Sequence, residues 1–312
     1  MRTIFYYLLI LFIILIIFPY ILLYNDHDNN SEIIIKVYHH RENKTISMNL
    51  DNYLKGVLAA EMPASFELEA LKAQAVAART YVLKHKESGG SREHPGADIC
   101  TDYRYSQAWY SEQEMKEKWG FIPFFYYWAK VTRAVEETKY EVIYYNDKLI
   151  DAVYHSNAGG QTEDAQNVWG KKIPYLLSVN SPHDKENPKN YLHKYKFTID
   201  EFEKRLGINL INKVPENKDI FNVLSRTEAG RIQKIKINSI NFTGSEIRDK
   251  LGLPSCNFTF TLKDNEISTK VVGNGHGVGM SQDGANGFAR NEYTYVQILK
   301  QYYPGTSIST YK

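Results

Sequence analysis

Gly273 to Ala285 reads GNGHGVGMSQDGA, and the rest of the chain is best read outward from it. Gly273, Gly275, Gly277, Gly279 and Gly284 surround a single histidine, His276. Glycine this dense suits a backbone that turns sharply or lies close to a ligand. Asn274, His276, Ser281 and Gln282 are residue types that line a site. The alternating Val278 and Met280 argue against a disordered glycine–serine linker. On this stretch alone, a ligand-facing loop and glycine-rich packing between two elements both remain open.

The elements around that phrase indicate a mixed α+β chain. Glu32 to His39 reads as a strand. Leu54 to Ala60 reads as a helix with Asp51 or Asn52 as its cap, redirected at Pro63. Glu67 to Lys84 reads as a second helix, because Leu68, Leu71, Ala75, Ala78 and Val82 recur at steps of three and four and share one face. Further helices are expected over Glu112–Lys118, Tyr126–Glu137, Phe202–Leu206, Glu246–Leu251 and Tyr293–Tyr302. Glu141–Tyr145 and Leu149–Tyr154 read as a hairpin about Asn146 and Asp147. Lys194–Ile199, Ile232–Ile237, Ile240–Phe242 and Asn257–Thr261 suggest strands, with Lys213–Asn222 as a loop.

The N-terminus sets an expectation about compartment. Ile4 to Tyr24 is a nearly unbroken apolar run without charge, close to the length that spans a bilayer core. Arg2 precedes it and Asp26 and Asp28 follow, so the remainder is expected to face outward. A cleaved signal peptide is the rival reading, but the run is long for one and no small-residue cleavage site follows directly. A formal charge of +2 carries no broad nucleic-acid signature. Cys100 and Cys256 do not make a disulfide-rich scaffold. The 24 tyrosines and four tryptophans suit sugar rings and hydrophobic cores equally.

The chemistry candidates lie where the expected elements end. Glu61 follows Ala59 and Ala60 at a helix end, where partial burial would raise its pKa and make it a usable general acid. No local carboxylate partner is visible, which points away from two-carboxylate glycoside hydrolysis. Tyr154-His155-Ser156-Asn157-Ala158-Gly159-Gly160 closes a strand into a glycine turn, a frequent setting for a site. Adjacent His155 and Ser156 would point oppositely along a strand, and no GxSxG elbow supports a serine hydrolase. His94, Asp98, Cys100 and Asp102 are possible metal ligands in a loop, without a paired-cysteine or HExxH signature.

Three stretches resemble the SpoIID family of sporulation cell-wall enzymes. They are YLKGVLAAEMPASFELEALKAQAVAARTY from Tyr53 to Tyr81, YHSNAGGQTE from Tyr154 to Glu163, and the Gly273–Ala285 phrase. The resemblance implies a peptidoglycan lytic transglycosylase acting on glycan strands stripped of stem peptides by a SpoIIP-like amidase during forespore engulfment. It implies Glu61 as the catalytic glutamate, and His155, Ser156, Asn157, His276, Ser281 and Gln282 as substrate-binding residues by motif position. Arg79 and Tyr81 lie near the expected site and join them as candidates, with packing roles competing. Some members carry a metal cluster after the second helix. Here His94 and Cys100 fit part of it, but Ser106 stands where a second cysteine is expected, so no cofactor is required and a structural zinc is not favoured. The expected architecture is therefore α+β, with an N-terminal transmembrane helix over residues 1–25 followed by a mixed helix and antiparallel-sheet extracytoplasmic catalytic region over residues 26–312. The expected partners are peptidoglycan, the amidase and other engulfment proteins, and the membrane, with no nucleic acid. The expected location is the cell membrane, single-pass, with the catalytic region in the space between mother cell and forespore.

Overall fold

A computed structural model of the chain describes Tyr6, residues 32–210 and residues 220–311. Its first long element is a helix, Leu50–Glu61. Asn49 caps it, its side-chain oxygen accepting the N–H groups of Asp51 and Asn52 at 2.9 and 3.2 Å. The sequence suggested a start at Leu54. The helix starts one turn earlier because Asn49, not Asp51 or Asn52, reaches the otherwise unpartnered donors of the first turn. Met62 is extended at ψ 145°, as a residue before proline must be, so Glu61 ends the helix.

The second helix, Leu68–Glu87, buries Leu71, Ala75, Ala78 and Val82 as their spacing implied, together with Gln74 and Arg79. It packs against Leu50–Glu61, the helix Phe121–Glu136 and the strand Glu141–Tyr145. Phe121–Glu136 starts five residues before the expected Tyr126, because Pro123 sits in its first turn, where a missing N–H does no harm. Ile34–His39 is the expected strand. It pairs with an unexpected one, Lys44–Asn49, and in parallel with Ile99–Cys100.

Glu141–Tyr145 and Lys148–Leu149 form the hairpin, with Asn146 and Asp147 both at positive φ (48° and 59°), as a two-residue turn between twisted strands requires. The expected second strand does not continue to Tyr154. Tyr154–His155 leaves the hairpin and pairs in parallel with Met280–Ser281.

Between those two short strands the chain makes a long excursion with a core of its own. Leu192–Thr198, Phe258–Lys263 and Glu266–Val272 form one antiparallel sheet, and Phe221–Arg226, Ile232–Ile237 and Ile240–Thr243 another. With the helices Ile199–Leu206 and Gly244–Leu251 they enclose Phe197, Phe202, Ile235, Ile247, Phe258 and Ile267. Of the expected loop Lys213–Asn222, residues 213–219 lie outside the described residues, and Phe221 already begins a strand.

The expected membrane anchor is corrected. Among the described residues no helix is long and apolar enough to cross a membrane. The longest described helix, Leu68–Glu87 at 20 residues, carries Glu69, Lys72, Arg79, Lys84, Lys86 and Glu87, which a bilayer core would not accept. The run Ile4–Tyr24 lies, apart from Tyr6, outside the described residues. A transmembrane helix, a membrane partner and a single-pass membrane location are thus unsupported, and the described fold is mixed α+β.

One close approach fixes how the Glu61 helix meets its neighbours. A Cβ added at Gly56 would lie 2.1 Å from Trp109 Nε1, and the indole is held edge-on by His39 at 5.5 Å. Gly56→Ala is expected to destabilise the protein by roughly 1–3 kcal/mol through overpacking. A lowered urea midpoint at unchanged m-value would register it; an unchanged midpoint would show that the indole moves freely.

Candidate active site

Glu61 stands at the C-terminal end of its helix with its carboxyl group largely enclosed. Its Oε1 accepts the Ala108 N–H at 2.7 Å, and its Oε2 faces Gln282 Nε2 at 3.5 Å. Burial raises its pKa above the ordinary carboxylate value, against the opposing pull of those two donors. Around it stand Tyr53 from its own helix, Tyr81 from Leu68–Glu87, and Tyr154 from the short parallel strand. Burial raises all three phenols, Tyr81 to about 12, and the Glu61 charge adds to each shift. The neighbourhood is therefore neutral and hydrogen-bonding, with no second carboxyl group among the causes of the Glu61 shift.

The other two motifs are stitched to each other. Asn157 and Asn274 exchange backbone hydrogen bonds at 2.9 and 2.8 Å. The Glu163 N–H donates to the Gly277 carbonyl at 2.8 Å. Gly273, Gly275, Gly277 and Gly279 all hold positive φ, between 73° and 113°, so the glycines serve a winding that side chains would strain. Met280–Ser281 then runs straight into a helix, Gln282–Arg290, capped by the Ser281 side chain. Gln282 is the first residue of that helix, and this places its amide against Glu61.

The histidines flank this junction in defined tautomers. The Val278 N–H donates to His276 Nδ1 at 3.1 Å, so His276 Nε2 carries the hydrogen and donates to the Tyr154 carbonyl at 3.1 Å. Burial, with Arg248 adding to it, lowers the His276 pKa to about 4. His155 Nδ1 donates to the Val278 carbonyl at 3.1 Å, its Nε2 has no partner, and burial drives its pKa well below the usual value. The two rings lie 5.4 Å apart, and Trp169 covers His276 at the same distance. Tyr154 thus stands between His276 and Glu61, its carbonyl on one and its phenol near the other.

Asn157 and Ser281 are buried in a polar network. Asn157 Nδ2 donates to the Asp184 carbonyl and to Asp283 Oδ2, at 3.0 and 2.9 Å. Ser281 Oγ donates to Asp184 Oδ1 at 2.6 Å. The Ser156 carbonyl accepts the Asp283 N–H. Arg79 is 1% exposed. It donates to the carbonyls of Thr138 (2.7 Å), Val135 (3.1 Å) and Glu141 (3.2 Å), closing the end of Phe121–Glu136. Tyr81 and Gln282 are brought to Glu61, while His155 lies against His276; Arg79 is part of neither group.

The metal candidates do not converge. The His94 ring stacks on Tyr38 at 3.6 Å, Cys100 is a buried free thiol whose sulfur accepts the Asp102 N–H, and Asp102 is paired with Arg104. Among the described residues no group of three or more His, Cys, Asp or Glu side chains is placed to hold a metal ion, so the residues present do not fit the cluster the resemblance suggested.

Comparisons with known proteins show the family. Residues 38–145 match the family model SpoIID, stage II sporulation protein. The chain is 38% identical to stage II sporulation protein D of Bacillus subtilis (strain 168) over 277 residues, covering 89% of this chain and 79% of the relative. It is 35% identical to the Bacillus amyloliquefaciens protein of the same name, with the same coverage. It is also 30% identical to the amidase enhancer of Bacillus subtilis (strain 168), over 83% of this chain and 40% of that protein. The chain belongs to the SpoIID family, and its general role is peptidoglycan remodelling during sporulation.

Sequence reasoning missed Ala108, Gln74, Tyr53 and the helix Gln282–Arg290. Ala108 contributes only a backbone N–H, which no side-chain pattern signals. Gln74 did leave a trace, as a polar residue between Leu71 and Ala78 on an apolar stripe. Gly284 and Gly287 disguised the helix Gln282–Arg290, since glycine disfavours helix interiors.

Two outcomes follow from this geometry. Arg79→Ala leaves buried carbonyls unpartnered and is expected to lower unfolding stability by about 3 kcal/mol; a role confined to sugar contact would leave the denaturation curve unmoved. Second, between pH 6.5 and about 4 the unfolded chain binds a proton at residue 276 that the folded chain refuses. Stability should therefore fall as pH drops through that window. His276→Gln, which does not titrate, should show a shallower fall in pH-dependent denaturation curves, and an unaltered slope would refute the neutral assignment.

Proposed function

We propose that the chain is a lytic transglycosylase cleaving the MurNAc–GlcNAc bond of stem-peptide-free peptidoglycan strands during engulfment. The observation that carries the reading is Glu61: one enclosed carboxyl group with a raised pKa, one backbone donor, one amide donor and no carboxylate partner.

A lone carboxyl group suits a reaction in which one residue acts twice. Protonated Glu61 gives its proton to the glycosidic oxygen as the bond from MurNAc C1 breaks. Positive character develops at C1. The MurNAc C6 hydroxyl then closes on C1 while the Glu61 carboxylate takes its proton. The residue ends protonated, no water is consumed, and the product carries a 1,6-anhydro end. Such a group works best with a pKa near the working pH, the direction in which burial moves Glu61. His155, Ser156, Tyr81, His276 and Gln282 are proposed to border the glycan, with Asn157 and Ser281 holding the loops behind them. A SpoIIP-like amidase is proposed to supply the stripped strands.

A second reading has one observation in its favour, the similarity to an amidase enhancer. There the chain would bind stripped glycan and stimulate an amidase without cleaving. Purified protein incubated with amidase-treated sacculi separates the two. The transglycosylase reading expects anhydro-ended fragments by mass spectrometry, without 18O uptake from labelled water. Glu61→Gln should keep the fold and reduce product by at least about a hundredfold, the scale of a lost general acid. Undiminished turnover by that variant, or glycan binding with no anhydro product from the wild type, would rule the reading out.

A further inference from the structure

Gln74 is wholly buried on the Leu68–Glu87 helix. Its Oε1 accepts from Gln282 Nε2 at 3.4 Å, and the same nitrogen faces Glu61 Oε2 at 3.5 Å. A side-chain amide has two N–H groups on one nitrogen and a carbonyl oxygen opposite. With an acceptor on the Gln74 side, the Gln282 nitrogen is drawn between Gln74 and Glu61. Turned over, Gln282 would set its oxygen against both the Glu61 carboxylate and Gln74 Oε1. The Gln74 oxygen and the Glu61 carboxylate, both acceptors, together favour the N–H end of the Gln282 amide toward the glutamate.

The geometry points to Gln74 as a positioning residue that locks the Gln282 amide with its N–H toward Glu61, stabilising the charged form of that carboxyl group. Its significance for turnover rests on the transglycosylase reading; the lock itself does not. The groups facing Glu61 from the surrounding elements leave the amide as its adjustable side-chain contact. Tyr53, Tyr81 and Tyr154 have phenols held neutral, and Lys118, from the helix Glu112–Trp119, directs its ammonium to the Ala59 carbonyl at 3.1 Å. Ala108 supplies a backbone N–H that no side-chain substitution removes. Gln74 Nε2 has no partner, so the acceptor end is the only part of this side chain hydrogen-bonded in the cluster.

The test is the titration of the Glu61 carboxyl carbon, followed by 13C NMR in the full chain and assigned by its loss in Glu61→Gln. Gln74→Met removes the acceptor while keeping length and helix propensity. It is expected to raise the Glu61 pKa by about one unit, a tenfold change in proton affinity, the scale of a lost hydrogen bond to a charged group. Gln282→Met should give a shift of the same sign, and the double variant no more than the larger single shift, because both act through one contact. Should Gln74→Met fail to fold, Gln74→Asn withdraws the acceptor by one methylene and should give the same direction. An unmoved Glu61 titration in a folded Gln74 variant, or shifts that simply add, would overturn the lock. A shift without any glycan cleavage by the wild type would leave the lock standing and remove the transglycosylase reading. Where cleavage is present, the pH–rate profile of Gln74→Met should move with the NMR shift, which a purely structural glutamine would not produce.

Discussion

The parallel pairing of Met280–Ser281 with Tyr154–His155 is the contact through which the site exists. Two residues on each side are enough because the flanks are pinned as well. Asn157 bridges to Asn274, Glu163 to Val278, and Asp184 gathers Ser281, Gly160 and, through its carbonyl, Asn157. Ser281 closes the strand and caps the helix that follows. The direction of Gln282–Arg290 is thereby set by the strand pair, and Gln282 meets a glutamate more than two hundred positions earlier in the chain. The excursion with its own aromatic core can leave and return without disturbing this, since its ends are held by the pairing itself.

The network behind the loops is polar and buried. Asp184 is fully buried and its pKa is raised, first by burial. Such groups give a stable fold little net energy, because desolvation offsets much of their attraction. What they supply is orientation: each accepts or donates in one geometry and leaves no comparable alternative. The same reasoning applies around Glu61, where three phenols and two amides surround one ionisable carboxyl group. A neutral setting keeps the proton affinity of that group high and lets a single hydrogen bond alter it.

Much of this was legible in the residues. The 3.6-residue spacing of Leu71, Ala75, Ala78 and Val82 located the second helix, Asn146-Asp147 located the hairpin turn, and Pro63 placed Glu61 at a helix end. Each is a local effect of backbone sterics or of a repeating apolar face. The start of the first helix slipped by a turn because Asp51 and Asn52 were read as the caps, whereas the Asn49 side chain accepts the N–H groups of both. The apolar run near the N-terminus matched a bilayer in length, but length and hydropathy describe a segment and not the fold around it.

The sequence by itself determined the helix that carries Leu71, Ala75, Ala78 and Val82, the hairpin turn at Asn146-Asp147, and that Glu61 ends a helix beside Pro63. Those follow from interactions among residues a few positions apart. Only the tertiary structure decided that Arg79 closes another helix and that the glycine phrase runs into one. It alone placed the Ala108 N–H and the Gln282 amide on the two oxygens of Glu61. Such contacts join residues remote in the chain through backbone groups and side-chain orientations, and no periodicity along the sequence records where those come to rest.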